Sequence, residues 1–232
     1  MQDFIAVLDF GSQYAHLIAK RIRHLGAYTK IFSPSAKEDL LQDAKGIVLS
    51  GGPASVYSTD IPKFNSNILD LDLPILGLCY GHQLIAKEFG GAITNTGKGE
   101  FGKAILQQTS DFPLWQNVSF PNKVWMSHQD SVTKCPPDFK VTGVTESGNV
   151  AAMRHRKRRI YTLQFHPEVN DTEQGQKMLD NFINTCEISS KWSMETFIKE
   201  TTERLQQEVG ERKVLMFISG GVDSSVAFAL LN

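Results

Sequence analysis

Short apolar runs alternate with amphipathic stretches through the first part of the chain. Strands alternating with helices are typical of an α/β fold, here a mostly parallel open sheet with helices on both faces. The apolar runs predict buried strands at residues 4–8, 28–32, 46–49 and 74–78. Helical spacing predicts a helix through Tyr14, Leu17, Ile18, Ile22 and Leu25, and another over residues 83–89. The capping-box pattern of Ser35 and Glu38 predicts a further short helix.

The pattern changes between residues 92 and 165, where short strands and turns predominate. This stretch predicts an added short-stranded β region, with a hairpin formed by residues 150–153 and 160–163. The strongest charge run, residues 154–159, then lies at the hairpin tip, and we predict that it is solvated. Apolar side chains return to helical spacing at Met178, Leu179, Phe182, Ile183 and Cys186. That helix is expected to close a first domain.

A boundary near Ser189 divides the chain into a domain of residues 1–189 and a C-terminal appendage of residues 190–232. The appendage predicts a charged amphipathic helix over 192–209 that begins at Ser193, then a strand over 213–218 and the start of another helix. One strand and part of a helix cannot complete a parallel sheet. We therefore expect the sequence to be a piece of a longer protein.

Composition narrows the class of protein. The 232 residues are 41% hydrophobic, enough for one core of ordinary domain size, and the formal net charge of −1 argues against a nucleic-acid binder. We expect no membrane span and no signal peptide. The chain has three cysteines, an odd number without metal-like spacing: Cys79, Cys135 and Cys186. The expectation is a reduced, cytoplasmic protein without a metal site.

Cys79 lies at the most informative point of the chain. Gly77-Leu78-Cys79-Tyr80-Gly81 joins a predicted strand to a predicted helix and has the G-x-C-x-G form of a nucleophile elbow. Flanking glycines permit the tight turn, and the following helix directs its free N–H groups toward the sulfur, which favours the thiolate. The alternative is an unreactive, buried cysteine. The elbow alone leaves both interpretations open.

A second signal follows the strand at 160–163. His166 lies just beyond it, and Glu168 follows two residues later. Glu168 could hold one nitrogen of the imidazole while the other faces Cys79, in the manner of a catalytic triad. Each residue also has an ordinary interpretation, His166 as an edge histidine and Glu168 as a solvated charge. His128 is a weaker candidate for the base.

Three segments, CYGHQ at 79–83, SGGP at 50–53 and QFHPEV at 164–169, resemble the class I (triad-type) glutamine amidotransferases. The resemblance implies that Cys79, His166 and Glu168 are catalytic. It further implies an oxyanion hole from the backbone N–H groups of Gly52 and Tyr80, and substrate contacts by Gln83, Ser127 and Asp130. WMSHQD at 125–130 is similar to the WMSHGD of the GMP synthetase family. Gln129 replaces the usual glycine, which puts the backbone shape of this loop in question.

The appendage contains the sequence SGGVDSS, which resembles the pyrophosphate-binding loop of the ATP pyrophosphatases. Glycine N–H groups, hydroxyls and a helix N-terminus suit an anionic phosphate pair. The implied ATP-binding residues are Ser219, Gly220, Gly221, Val222, Asp223, Ser224 and Ser225. An amidotransferase domain followed by such a loop is typical of the GMP synthetase family of purine biosynthesis. ATP, Mg²⁺ and XMP are then expected only with the full-length protein, for which a homodimer stays open.

The implied reaction hydrolyses glutamine to glutamate and ammonia through a thioester on Cys79, without a cofactor. In the family the ammonia aminates XMP to GMP with ATP. Two alternatives remain: an amidotransferase-fold module that is silent without its synthetase domain, and a cysteine hydrolase that acts on esters or peptides. The amidotransferase match at Gln83, Ser127 and Asp130 argues against the second.

Overall fold

The computed structural model describes residues 3–53, 55–58, 62–95, 99–189, 191–213 and 215–231. The chain divides into two compact units, Met1–Lys191 and Trp192–Asn232, which are described separately. The first unit contains eleven strands and three α-helices in its described residues. The strands are β1 (Phe4–Leu8), β2 (Thr29–Phe32), β3 (Ala44–Leu49), β4 (Ile75–Leu78), β5 (Ala92–Thr94), β6 (Glu100–Gln108), β7 (Asn122–His128), β8 (Ser131–Lys134), β9 (Phe139–Thr145), β10 (Val150–His155) and β11 (Ile160–Leu163). The helices are α1 (Ala15–His24), α2 (Tyr80–Glu88) and α3 (Gly175–Thr185).

Nine of these strands form one sheet in the order β2-β1-β3-β4-β11-β10-β9-β6-β7. Strands β2, β1, β3, β4 and β11 are parallel, and the remaining neighbours pair antiparallel. The predicted α/β class and the added β region are therefore confirmed, and most of that region continues the main sheet. Strands β5 and β8 form a separate two-stranded sheet.

The alternation of β1 shows how the sheet separates two cores. Ile5 and Val7 belong to one hydrophobic cluster, which also contains residues of α1 and α3. Phe4, Ala6 and Leu8 belong to the other cluster, together with residues of α2. Successive side chains of a strand point to opposite faces, so a strand buried on both faces is apolar throughout. Helices on both faces follow from this pattern.

Two local predictions need correction. A 3₁₀ helix does form at Glu38–Leu41, but Lys37 precedes it as the N-cap, without a capping side-chain bond. The Ser35 hydroxyl instead lies 2.9 Å from that of Ser33. Helix α2 begins at Tyr80, directly after Cys79, and not at residue 83. The tight turn leaves no loop between the strand and the helix.

The basic run at 154–159 lies where β10 turns into β11, but it is only partly solvated. The Arg158 guanidinium donates to the Leu69 carbonyl, and that of Arg159 donates to the Asp72 carbonyl over 3.2 Å. His155 is buried and accepts from the backbone N–H groups of Lys157 and Arg158. Part of the run therefore tethers a neighbouring loop, because guanidinium groups can reach carbonyls that the loop leaves unpaired.

The second unit contains helix α4 (Met194–Val209) and helix α5 (Val222–Leu231). Ser193 caps α4 by accepting from the backbone N–H of Thr196 over 3.1 Å, as predicted. The strand predicted over 213–218 is absent from its described residues, 213 and 215–218. A strand is stable only when a neighbour satisfies its backbone groups, and this unit provides no partner strand among the residues described. No described helix has the length and apolar character of a membrane span.

Candidate active site

Cys79 is positioned by a strained turn at the carboxyl end of β4. Its backbone has φ +51° and ψ −100°, in a region that residues other than glycine rarely occupy. A Cβ on Gly77 would lie 2.6 Å from the Gly81 carbonyl oxygen, and one on Gly81 would lie 2.5 Å from that of Leu49. Glycine is therefore needed at both positions because neighbouring backbone atoms lie too close for a Cβ. A positive φ is not the reason at either position. This geometry is that of a nucleophile elbow.

His166 follows β11, the parallel neighbour of β4, with Leu163 in register with Leu78. Parallel strands end at the same edge of a sheet, so the register brings His166 beside Cys79. The backbone N–H of His166 donates to the Trp125 carbonyl over 3.0 Å, and the Thr172 hydroxyl donates to the His166 carbonyl over 2.6 Å. These bonds fix the backbone that carries the imidazole.

Glu168 holds the imidazole from the other side. His166 Nδ1 lies 2.7 Å from Glu168 Oε1, and both side chains are buried. Burial lowers the pKa of His166, but hydrogen bonds to Cys79 and Glu168, and the negative charges of both, outweigh burial and raise it well above its ordinary value. The Nδ1 atom faces Glu168, so the bond to Cys79 falls to the other nitrogen. The structure thus joins the three side chains in the order that the sequence suggested.

Gly52 and Tyr80 line the same cavity as Cys79. Among the described residues, none accepts a hydrogen bond from the N–H of Gly52 or Tyr80. A Cβ on Gly52 would lie 3.1 Å from Tyr80 Cγ, so the two residues are adjacent. The Ser50 hydroxyl, which sequence reasoning did not single out, accepts from the Phe10 N–H and donates to the Gly51 carbonyl. It holds the turn in a shape that presents these donors to the cavity.

A cavity of about 500 Å³ opens beside Cys79 and is lined by Gln83, Ser127 and Asp130 among others. Ser127 is exposed, and its carbonyl oxygen lies 3.6 Å from the Cys79 sulfur. The Gln83 amide nitrogen donates to the Asp130 carbonyl over 2.8 Å and to Gln164 Oε1 over 3.2 Å. Gln83 is thus a buried, bonded residue and not a helix residue facing water. Gln129 does not have a positive φ, so its side chain fits the loop without strain.

His128 has a carboxylate partner that is remote in sequence. Its Nε2 lies 3.2 Å from Glu100 Oε2, and its Nδ1 lies 2.9 Å from the Asp130 carbonyl oxygen. Glu100 is remote in sequence, but antiparallel pairing of β6 and β7 places it in register with His128. Only that register brings the two together, so no short sequence pattern signals the contact.

The SGGVDSS segment lies in the second unit and is described there alone. The Ser224 and Ser225 hydroxyls donate to the Gly221 carbonyl, and Ser219 Oγ lies 3.2 Å from Ser224 Oγ. Gly220 has φ +80°, which favours glycine. Val222 and Asp223 form the first turn of α5. The loop therefore precedes a helix N-terminus, as predicted, with its hydroxyls bonded inward.

These features define an α/β protein with a Cys-His-Glu cluster at the carboxyl edge of its parallel strands. The family model for class-I glutamine amidotransferases matches residues 6–186, and the chain belongs to that family. A probable glutamine-hydrolysing GMP synthase of Leptospira interrogans is 45% identical over 230 residues, which cover 98% of this chain and 38% of that protein. A glutamine-hydrolysing GMP synthase of Campylobacter hominis is 48% identical, with 98% and 45% covered. The chain thus spans less than half the length of these curated relatives.

Solved structures agree with this assignment. A protein of Thermoplasma acidophilum, described as a putative subunit of GMP synthase, is 31% identical with a TM-score of 0.70, and the match covers 80% of this chain and 94% of that one. A glutamine amidotransferase of Thermotoga maritima, at 18% identity and a TM-score of 0.60, shares the fold, with 99% of this chain and 94% of that one covered. The fold predicted from the strand and helix pattern is therefore confirmed by independent structures.

Proposed function

We propose that this chain is the glutamine-hydrolysing part of a GMP synthase. The observation that carries the proposal is the Cys79-His166-Glu168 cluster, whose cysteine lines the same cavity as Gly52 and Tyr80, two residues whose N–H groups have no acceptor among the described residues. Nucleophile, base, orienting carboxylate and oxyanion donors are the four parts that acyl transfer requires. Similarity to GMP synthases supports glutamine as the acyl donor.

In the proposed first half-reaction, the Cys79 thiolate attacks the side-chain amide carbon of glutamine. The carbonyl π electrons move to oxygen, and the oxyanion accepts hydrogen bonds from Gly52 and Tyr80. The His166 imidazolium, held by Glu168, then gives its proton to the departing nitrogen, so that ammonia leaves and a γ-glutamyl thioester remains. The raised pKa of His166 suits this step, since it keeps the proton available near neutral pH.

In the second half-reaction, neutral His166 removes a proton from water as the water attacks the thioester carbon. The oxyanion forms again at the same two N–H groups, and its collapse releases glutamate and the Cys79 thiolate. No step needs a cofactor. Asp130 and Ser127 would hold the α-ammonium and α-carboxylate of the substrate, a pairing that suits a zwitterion. Gln83 would contact the substrate through its amide oxygen, because its amide nitrogen donates to the Asp130 carbonyl.

For the full-length protein we propose that the ammonia converts XMP to GMP at the expense of ATP. The support is the similarity to GMP synthases and the SGGVDSS loop of the second unit. Residues 219–225 would bind the pyrophosphate end of ATP, with Mg²⁺ supplied by the rest of that domain. Three free cysteines agree with a reducing compartment such as the cytoplasm.

An electrophilic glutamine analogue tests the site directly. We expect one equivalent of label on Cys79, located by peptide mass spectrometry, and release of glutamate from glutamine. Replacing Cys79 by Ala should abolish labelling and lower kcat/KM by about 10³-fold or more. The matched control is Cys135→Ala, which removes a partly buried cysteine outside the cavity and should label like the wild type.

The outcomes separate the alternatives. Labelling without glutamate release would indicate a module that is silent without its synthetase domain. Ester or peptide turnover with glutamine ignored would indicate a different cysteine hydrolase. A loss of less than tenfold in Cys79→Ala would refute the assigned nucleophile.

A further inference from the structure

His128 lies beside the proposed glutamine cavity with both ring nitrogens engaged. Nδ1 is 2.9 Å from the Asp130 carbonyl oxygen, and Nε2 is 3.2 Å from Glu100 Oε2. Its side chain is 1% exposed, so water cannot replace either partner. A backbone carbonyl accepts only, and an ionised carboxylate accepts only. A neutral imidazole has one donor nitrogen and could satisfy only one of these two acceptors.

Glu100 is held in its ionised form. Burial raises its pKa, but hydrogen bonds from His128, Thr145 and Asn149 outweigh burial, and the net pKa is lowered. Thr145 donates to Oε1 over 2.9 Å, which leaves Oε2 to His128. With Glu100 ionised, both acceptors at His128 require a proton from the ring. The geometry therefore requires the doubly protonated imidazolium.

The Asp130 carbonyl receives a second donor, the Gln83 amide nitrogen, over 2.8 Å. Gln83 lies one turn into α2, the helix that begins directly after Cys79. His128 thus belongs to a continuous network that runs from Glu100 on β6, through the backbone of Asp130, to the helix of the nucleophile. Loop 127–130 carries both side chains proposed to hold the ends of glutamine.

We propose that His128 is a positioning residue for glutamine: a buried cation that holds loop 127–130 in its substrate-binding shape by joining Glu100 to the Asp130 carbonyl. This inference rests on the proposed glutaminase function. His128 does not touch the reacting atoms, so its loss acts on substrate binding and not on chemistry at Cys79. A neutral His128 ring would turn a nitrogen lone pair toward either the Glu100 carboxylate or the Asp130 carbonyl, and loop 127–130 would lose that hydrogen bond.

The titratable groups facing His128 among the described residues are Glu100 on β6, His82 on α2 and Asp130 on its own loop. His82 is fully buried, and burial followed by the charge of His128 lowers its pKa to about 3. His82 is therefore neutral near neutral pH and adds no competing charge. The ionised Glu100 carboxylate favours the cation.

Nitrogen-15 NMR of the histidine side chains in the full chain tests the protonation state without any variant of uncertain stability. We expect two buried histidines whose ring nitrogens are both protonated near neutral pH: His166, whose pKa is raised, and His128, which interacts with the Glu100 carboxylate. The His128 signal should disappear in His128→Asn, and the His166 signal should remain. A neutral tautomer of His128 near neutral pH would overturn the proposal.

Kinetics test the positioning role. In His128→Asn we expect the KM for glutamine to rise about tenfold, with kcat changed by less than about threefold. The rate at which iodoacetamide alkylates Cys79 should stay at the wild-type value, since that reagent lacks the groups that loop 127–130 would hold. In Glu100→Gln the KM for glutamine should rise as well, because the imidazolium loses the carboxylate that joins it to β6.

The control is His155→Asn, which replaces a buried histidine at the end of β10 that does not line the cavity. It should leave KM and its pH profile unchanged. A loss of stability in His128→Asn with an unchanged KM would mean a purely structural role and would contradict the proposal, as would a KM that Glu100→Gln does not raise. Failure of the proposed function is distinguishable, because wild-type protein would then neither hydrolyse glutamine nor label at Cys79, whatever the state of His128.

Discussion

Two histidine–carboxylate pairs, one buried and one partly buried, contribute to this site, and they differ in what the second ring nitrogen faces. His166 bonds Glu168 through Nδ1 and Cys79 through its other nitrogen. His128 bonds Glu100 through Nε2 and the Asp130 carbonyl through Nδ1. A thiol can exchange a proton with an imidazole, whereas a carbonyl can only accept a hydrogen bond. The first pair is therefore suited to proton transfer and the second to holding a loop.

The two pairs also differ in how the chain assembles them. Glu168 lies two residues after His166, so one backbone segment carries both groups. Glu100 and His128 lie on separate strands, β6 and β7, and meet through antiparallel register. The first pair depends on the end of β11, and the second depends on a hairpin outside the parallel half of the sheet. Variants of the two pairs should consequently fail in different ways.

Replacement of His166 should have the largest effect. In His166→Asn we expect kcat for glutamine hydrolysis to fall by about 10³-fold or more, because both the proton donor to ammonia and the base for water are lost. The KM for glutamine should change little, which is the reverse of the pattern expected for His128→Asn. Steady-state glutamate release measures both parameters. Equal effects of the two substitutions on kcat would remove the distinction between the pairs.

Glu168→Gln should lower kcat by about 10²-fold, since the amide can still orient the ring but no longer stabilises the imidazolium.

Stability should depend on pH as well. The folded pKa of His166 is raised, so its contribution is fully present below the unfolded value and is lost as pH rises through the folded value. The stability advantage of wild type over Glu168→Gln should therefore shrink in alkaline solution, as measured by urea unfolding across pH. A constant difference would contradict the assigned coupling.

Local sequence patterns were sufficient for the parts of the site that a single segment builds. The elbow at Cys79 and the His166–Glu168 spacing are visible in short motifs, and β1 follows its apolar run from Phe4 to Leu8. The Glu100–His128 contact was not predictable in this way, because the pairing of distant strands decides it. Likewise, the Arg158 bond to the Leu69 carbonyl depends on the position of a loop that is 89 residues away in sequence. The strand expected over residues 213–218 is absent from the described residues of that range. A strand also needs a neighbouring strand with which to pair.

His82 is another buried histidine and should govern acid stability. It is fully buried, with Nδ1 2.8 Å from the Thr162 hydroxyl, and its pKa is lowered to about 3. A lowered folded pKa gives stability that is present above the unfolded value and is lost as pH falls toward the folded value, by about 5 kcal/mol at most. His82→Leu should flatten the fall in unfolding free energy between about pH 6 and pH 3. An unchanged slope would mean that other groups cause the acid transition.

The smallest effect is expected at Gln129, where relatives of the WMSHGD type have glycine. Gln129 is exposed and does not have a positive φ, so the loop held by His128 does not require glycine at this position. Gln129→Gly should therefore leave the KM for glutamine within about threefold of wild type and should lower stability by about 0.5–1 kcal/mol, because glycine increases the entropy of the unfolded chain. Glutamine kinetics and urea unfolding measure the two effects. A tenfold fall in KM would show that the side chain restricts the loop despite its permitted backbone, and would assign the shape of the loop to residue 129 as well as to the His128–Glu100 pair.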